Sequence, residues 1–401
     1  MNIDKLHQKL KEINTIIDQQ QYQKENIGVL SGSSGIALFQ FYYAKFLDKD
    51  ITETSNSLMK NCIQKINEGY NHGTYCSGIS GMGWVLNHLE QNDFIEIDID
   101  NLCLDLDNYL YQLMVNDLQK GNYDFLHGGL GYAFYFLSRY ENTKSDSAKK
   151  NYQAYLLFFI HLISKKSENY KNTIRWISEI GVEHKEKVYN LGLSHGMSSI
   201  VGILTKLSKH QYFEKETKLL LQLTISYILK YQKENTKGYS MFPNVIYENG
   251  FYEYKSRLAW CYGDLGIGIR LWYAAKALGD TSLKENAIKI LEHAALRTNN
   301  EQNMVKDAGL CHGSFGNAQI FLRMYKETQM SVFKDACDFW IQDGLNKAIH
   351  VDGYAGFKQW KGTNKWKKEV SLLEGIAGIG LTLIDYLADF ETNWDECLMI
   401  S

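Results

Sequence analysis

Proline, basic tracts and long apolar runs are scarce in this sequence. Pro243 is the one proline among 401 residues, a scarcity that favours helices over a sandwich of short strands. The formal net charge is −3 without any basic tract, so we predict no nucleic-acid partner. Apolar runs stay shorter than the roughly 18 residues that a membrane helix needs, so we predict no membrane span.

Cysteine is present without a disulfide framework. Seven cysteines, an odd number, are scattered along the chain, as expected for a protein of a reducing compartment. The first twenty residues lack the apolar segment of a secretory signal. Cytoplasmic localisation is therefore predicted. Leu6, Leu10, Ile13 and Ile17 recur at helical spacing and predict an amphipathic N-terminal helix.

Apolar residues make up 45% of the chain and aromatic residues 13%, enough for a sizeable core.

The dominant pattern is a repeated turn, Gly-x-x-Gly followed by an apolar segment, with copies 46 to 68 residues apart. In the fourth copy, serine replaces the second glycine. The seven copies are Gly32–Gly35, Gly78–Gly81, Gly128–Gly131, Gly196–Ser199, Gly263–Gly266, Gly313–Gly316 and Gly375–Gly378.

The segments after these turns are apolar on nearly all faces, whereas the segments between them are amphipathic. Such alternation predicts seven pairs of one buried and one half-exposed helix. We expect the pairs to close into an all-α barrel with an inner and an outer ring; an open solenoid of helix pairs is the alternative. The glycines are expected to supply positive φ and to permit close approach of the inner helices.

We predict a single domain over residues 1–401, with surface excursions near 166–190, 233–255 and 350–368. The first two stretches are long or rich in turn residues, and the third indicates a loop or hairpin with Trp360 and Trp366. Excursions on one rim of a barrel often bind ligands, although plain loop decoration explains them equally well.

The two residues before each first glycine should gather at one end of the inner ring. Cys261 precedes the fifth turn, and Cys311 with His312 precedes the sixth. Two thiolates and an imidazole with one open position are typical of catalytic zinc. The alternative is that both cysteines are simply buried. Cys76 occupies the same place in the second turn, but we expect it to lie far from the other two.

Two histidines directly precede other turns and are candidate acid–base groups. His195 comes before the fourth turn and His127 before the third, with Asp124 close to His127. Either histidine could face the open zinc position, although a lone histidine beside an apolar segment is more often structural. For Asp124, the alternative is a capping or loop residue.

Taken together, these motifs resemble the lanthionine synthetase C-like (LanC) family over nearly the whole chain. The segments Trp260-Cys261-Tyr262-Gly263 and Cys311-His312-Gly313 match the family's two zinc motifs. Ser194-His195-Gly196 is similar to its histidine-glycine motif, while Asp124 and Arg257 match further family positions.

The resemblance implies an α,α-toroid that holds a single zinc ion and forms thioether rings in lanthipeptide biosynthesis. A peptide cysteine becomes thiolate at zinc and adds to dehydroalanine or dehydrobutyrine, giving lanthionine or methyllanthionine. Metal binding lowers the thiol pKa, and the resulting enolate needs stabilisation and then a proton. His195 is the expected proton donor. Arg257 or Tyr262 is expected to assist the enolate or to orient His195 and Asp124.

No segment resembles a dehydratase, so we expect a cyclase that acts beside a separate dehydratase and an exporter on a dehydrated precursor peptide. Those partners could hold it peripherally at the membrane. Two departures from the family pattern are the serine of the fourth turn and His127.

Other functional classes stay open at this point. A glycosidase needs two opposed carboxylates, for which Glu374 with Asp124 or Asp264 could serve. A prenyltransferase also activates a thiol at zinc, but the sequence does not display its Asp-Cys-His ligand set. A LanC-like protein that binds thiols or peptides without closing rings is the third alternative.

Overall fold

The computed structural model describes residues 2–19, 25–49, 53–178, 186–234, 238–363 and 365–401. Regular structure in these residues is mostly helical. The α-helices are α1 (Ile3–Gln19), α2 (Ser33–Phe46), α3 (Glu53–Asn67), α4 (Ile79–Gln91), α5 (Ile99–Lys120), α6 (Gly129–Asn142), α7 (Asp146–Lys165), α8 (Met197–Ser208), α9 (Gln211–Leu229), α10 (Asp264–Leu278), α11 (Thr281–Ala295), α12 (Asn300–Asn303), α13 (Ser314–Thr328), α14 (Ser331–Asn346) and α15 (Ile376–Leu387).

Short strands lie between some of the helices and form two-stranded antiparallel sheets. They are β1 (Glu168–Tyr170), β2 (Thr173–Arg175), β3 (Val188–Asn190), β4 (Val245–Tyr247), β5 (Gln359–Trp360) and β6 (Trp366–Lys367). A 3₁₀ helix spans Trp394–Leu398. No helix among the described residues is both long enough and apolar enough to cross a membrane.

The chain divides into two compact units. Unit 1 consists of Met1–Ile99, Val305–Met399 and Ser401, and unit 2 of Asp100–Met304 and Ile400. The assignment of residues 1–401 to a single domain stays a prediction.

In unit 1, the first and last repeats of the chain pack together. The buried helices contact one another in the order α13, α15, α2 and α4. The last buried helix of the chain, α15, therefore lies beside the first, α2. The amphipathic helix α1 packs on α15, and its buried residues are the predicted Leu6, Leu10, Ile13 and Ile17. An open solenoid keeps its terminal repeats apart, so this contact contradicts that alternative.

In unit 2, the buried helices α6, α8 and α10 contact one another in order, and each packs against the helix that follows it. Strand β3 pairs with β4, which brings together parts of the excursions near 166–190 and 233–255. Residues 179–185 and 235–237 of these excursions lie outside the described residues. In unit 1, Trp360 of β5 pairs with Trp366 of β6 inside the stretch 350–368, of which residue 364 is not described.

Each of the seven turns leads into a buried helix, and its first glycine is the N-cap of that helix. Only Gly263 has positive φ, at +75°; the other six have extended backbone, so the expectation of positive φ is wrong for them. Close approach of the main chain is the reason for glycine instead. At Gly316, for example, a Cβ atom would overlap the carbonyl oxygen of Leu310.

Successive turns are linked through main-chain hydrogen bonds. In unit 1, the N–H groups of Leu310 and Cys311 both donate to the carbonyl of Leu373, at 2.9 and 3.1 Å. In unit 2, Leu193 and Ser194 donate in the same way to the carbonyl of Cys261. Within each unit, these bonds hold the residue pairs before neighbouring glycines side by side, as the repeat pattern predicted.

We predict that Gly316→Ala destabilises the protein by at least ~2 kcal/mol, because the added methyl group overlaps a main-chain carbonyl that cannot move away without breaking its turn. The change is measured as a lower urea midpoint. Ser199→Ala is the matched control, since the fourth turn already accommodates a Cβ. It loses only the Oγ hydrogen bond to the Gly196 carbonyl, worth about 1 kcal/mol. Equal losses in both variants would contradict the overlap argument.

Candidate metal centre and acid–base pair

A histidine–aspartate pair lies at the turns that precede α6 and α8 of unit 2. Nδ1 of His195 is 2.6 Å from Oδ2 of Asp124. The other carboxylate oxygen of Asp124 accepts the main-chain N–H groups of Leu126 and His127, both at 2.8 Å. The Asp124 side chain is buried, and its two oxygens are held by different partners. Its carboxylate accepts a hydrogen bond from His195 and so keeps a proton on Nδ1.

The surroundings of His195 favour its protonated form. Burial lowers the pKa of His195, but the hydrogen bond and negative charge of Asp124, together with Cys261, outweigh burial and raise the pKa above its ordinary value. Two further rings lie close by. The His127 ring is nearly parallel to that of His195 at 6.2 Å, and the Tyr262 ring lies at 6.3 Å. The structure thus brings together three of the predicted residues in unit 2, Asp124, His195 and Tyr262.

Cys261 is buried in the irregular turn that leads into α10, as the sequence predicted. Its carbonyl accepts the N–H groups of Leu193 and Ser194 and the Ser194 hydroxyl, at 3.0 to 3.3 Å. Because Ser194 directly precedes His195, these bonds tie the turn of the thiol to the turn of the imidazole.

Arg257 lies partly exposed in the segment that leads to Cys261. Its carbonyl accepts a hydrogen bond from the hydroxyl of Ser256, at 3.3 Å. The predicted role of its guanidinium near the enolate stays a prediction.

Behind Cys261, a buried ion pair anchors the same segment. Nη1 of Arg297 lies 3.1 Å from Oδ2 of Asp264, and both side chains are almost fully buried. The second terminal nitrogen of Arg297 donates to the carbonyls of Ser256 and Gln302, at 2.6 and 2.8 Å. Asp264 in turn accepts the main-chain N–H groups of Met241 and Phe242.

In unit 1, Cys311 and His312 lie in the turn ahead of α13, and two carboxylates flank the imidazole. Nε2 of His312 is 3.5 Å from Oδ2 of Asp307, and Nδ1 is 4.0 Å from Oε1 of Glu374. The side chain of Asp307 is 1% exposed and that of Glu374 22% exposed. Cys311 itself is partly exposed.

Asp307 is held in its charged form. Burial alone would raise the pKa of Asp307, but the imidazole of His312 nearby and the main-chain N–H groups of Trp360 and Gly309 outweigh it. The pKa of this carboxyl consequently lies below its ordinary value. A charged carboxylate beside an imidazole is the usual partner of a metal-binding histidine.

Each unit holds candidate metal ligands: Cys261 in unit 2, and Cys311 and His312 in unit 1, where Asp307 and Glu374 lie beside the same imidazole. Two thiols and one imidazole fit zinc well, since zinc prefers sulfur and nitrogen donors. The remaining cysteines of the chain are buried. They are Cys62, Cys76, Cys103, Cys337 and Cys397.

Sequence reasoning missed Asp307 and Arg297. Asp307 had a local signal, because it is a carboxylate five residues before His312. Arg297 had none, since it comes just after α11 and only tertiary packing brings it to Asp264, at the start of α10. The sequence marks Asp264 only as a possible glycosidase carboxylate, whereas its oxygens are engaged in this structural pair.

We predict that Arg297→Met destabilises the protein by ~3–5 kcal/mol, because it removes the nearer cation of the buried Asp264 carboxylate and leaves His293, at 4.0 Å. Urea unfolding at neutral pH measures the loss. Lys218→Met is the control: it removes a cation of the same unit whose nearest carboxylate, in Glu214, is 3.8 Å away on the exposed surface. That loss should be about 0–1 kcal/mol. Similar losses in both variants would contradict a structural role for the buried pair.

Comparison with known proteins agrees with these observations. Residues 23–399 match the family described as lanthionine synthetase C-like protein. Nisin biosynthesis protein NisC of Lactococcus lactis subsp. lactis is 24% identical over 420 residues, covering 94% of this chain and 91% of NisC.

The fold is also found in a solved structure. The structure of nisin cyclase has a TM-score of 0.74 and 19% identity, and the similarity covers 98% of this chain and 97% of that one. This likeness confirms the predicted fold class, an all-α protein of the α,α-toroid type. Because the family match extends over nearly all of its length, the chain belongs to the lanthionine synthetase C-like family.

Proposed function

We propose that this protein is a zinc-dependent peptide cyclase, which adds cysteine thiols to dehydroalanine or dehydrobutyrine and so forms thioether rings in a lanthipeptide precursor. The observation that carries the proposal is the linkage in unit 2 between the His195–Asp124 pair and Cys261. The pair is joined at 2.6 Å, and Ser194, the neighbour of His195, donates to the Cys261 carbonyl. A thiolate ligand and a proton donor are the two groups that this addition requires.

Cys261, Cys311 and His312 would hold the zinc ion. Their two thiols and one imidazole are the donors that zinc prefers, and three protein ligands leave a position for a substrate. When bound, zinc would lower the pKa of the peptide thiol, so that the thiolate is present at neutral pH.

His195 is the proposed donor of the proton that the α-carbon receives after the addition. Because Nδ1 is fixed on Asp124, Nε2 is the nitrogen that exchanges a proton with the substrate. Tyr262, whose ring lies 6.3 Å from that of His195, and Arg257 are proposed to stabilise the enolate. The addition consumes the thiol proton and returns one to carbon, so no further reactant is needed.

The proposed substrate is a dehydrated precursor peptide. A separate dehydratase would supply the dehydroamino acids, and an exporter would remove the product. The relative NisC is named as a nisin biosynthesis protein, which supports a place in such a pathway.

Two other functional classes make different demands. A glycosidase would use opposed carboxylates as acid and base, but Asp264 is buried on Arg297 and Asp124 is engaged by His195. A relative that binds thiols without closing rings would retain the metal. It would leave a dehydrated peptide unchanged, so ring formation distinguishes a cyclase from such a binding protein.

Replacing any one of Cys261, Cys311 and His312 by alanine should abolish stoichiometric zinc binding and ring formation, because two ligands hold zinc far more weakly than three. Zinc content is measured by mass spectrometry of the purified protein after dialysis. Cys76→Ala is the matched control, since Cys76 occupies the equivalent place in the second turn. It should retain full zinc. Full zinc in one of the three ligand variants would remove that residue from the set.

His195→Asn should keep its zinc and lower the rate of ring formation by 10²-fold or more, because general acid catalysis contributes on that scale. A peptide that contains dehydroalanine and cysteine is the substrate. Alkylation of the remaining thiol, followed by mass spectrometry, counts the open rings over time. An unchanged rate would transfer the proton donor to His127 or to water.

A further inference from the structure

Asp307 lies beside the proposed metal ligand His312 in unit 1, and the sequence resemblance assigns no role to it. We propose that Asp307 is a positioning residue, whose carboxylate faces Nε2 of His312 and thereby makes Nδ1 the nitrogen that binds the metal. This inference rests on the proposed zinc function.

Three main-chain contacts fix the position of Asp307. Its Oδ2 atom accepts the N–H of Trp360 at 2.8 Å. Its own carbonyl accepts the N–H and the hydroxyl of Ser314, the first residue of α13, at 3.1 and 3.2 Å. With its side chain only 1% exposed, this carboxylate cannot turn away from the imidazole without losing the bond from Trp360.

Neutral imidazole has one N–H group and one lone pair, so a partner at one nitrogen decides which nitrogen is available to a metal. Oδ2 of Asp307 lies 3.5 Å from Nε2 of His312. A carboxylate only accepts hydrogen bonds, so it places the proton on Nε2 and leaves the lone pair on Nδ1.

Glu374 is the competing partner of this imidazole. Its Oε1 atom lies 4.0 Å from Nδ1, which is farther than Asp307 lies from Nε2. The Glu374 side chain is also longer and more exposed, at 22%. It can therefore move aside for a metal ion, whereas Asp307 is held in place.

The anchor of Asp307 belongs to a hairpin. Trp360 lies in β5, which pairs with β6 through Trp360 and Trp366. The same carboxylate oxygen contacts both the hairpin main chain and the imidazole. The orientation of the metal ligand is thus coupled to the position of this hairpin.

The first test identifies the metal-binding nitrogen directly. The full-length protein is labelled with ¹⁵N-histidine and loaded with cadmium-113, and NMR detects which nitrogen of His312 is coupled to the metal. His312→Ala assigns the signal. Coupling to Nδ1, with Nε2 protonated, is the expected result. Coupling to Nε2, or an unprotonated Nε2, would overturn the proposal.

The second test measures zinc affinity by competition with a chelator. Asp307→Asn should weaken zinc binding about 10–100-fold, as loss of a carboxylate partner of a metal-binding histidine does. Asp385→Asn is the matched control, because Asp385 is equally buried in unit 1 and accepts a hydrogen bond from Gln319, at 2.7 Å, rather than facing His312. It should unfold more easily and retain its zinc affinity. The same affinity in both variants would reduce Asp307 to a structural residue.

Neither readout depends on ring formation, so the two proposals can fail separately. Zinc bound through Nδ1 without any cyclase activity would leave this inference standing and contradict the proposed function. Ring formation together with metal coupling at Nε2 would do the reverse. If Asp307→Asn does not fold, the NMR experiment on the unaltered protein still decides the question.

Discussion

The buried pair of Asp264 and Arg297 fixes the segment that leads to Cys261 in unit 2. Two charges without solvent need partners on every side, and the partners here are main-chain groups from three segments. Because Ser256 is among them, the approach to Cys261 is held by an ion pair with no chemical role of its own. The arrangement gains little net stability over an apolar pair of similar size, but it helps to fix the path of an irregular segment.

In each unit, a buried aspartate lies beside a histidine that directly precedes a glycine turn. Asp124 engages Nδ1 of His195, whereas Asp307 lies at Nε2 of His312. Opposite nitrogens are therefore left for chemistry, Nε2 in the proposed proton donor and Nδ1 in the proposed metal ligand. The same pair of residue types thus serves two purposes, according to which edge of the ring the carboxylate occupies.

The sequence predicted the repeats, the buried and half-buried helices, α1 and its apolar face, because all of these depend on periodicity and on glycine spacing. It also marked Asp124 and His195 as candidate catalytic residues, through motifs that resemble a known family. It did not predict why glycine is needed: crowding by main-chain carbonyls, as at Gly316, leaves no mark in composition. Nor could it predict the Asp264–Arg297 pair, because that contact joins separate helices and depends on tertiary packing.

The hydrogen bonds between neighbouring turns have a consequence for how such a protein can change. Main-chain N–H and carbonyl groups form them, as between Cys311 and Leu373, and at Ser194 the hydroxyl adds a further bond to the Cys261 carbonyl. The side chains at these positions are therefore not needed to join the repeats, and they include leucine, serine, cysteine, histidine and glutamate. Mutation can exchange them while the scaffold persists. New chemistry can accordingly arise at any of these places by a single substitution, without a new fold.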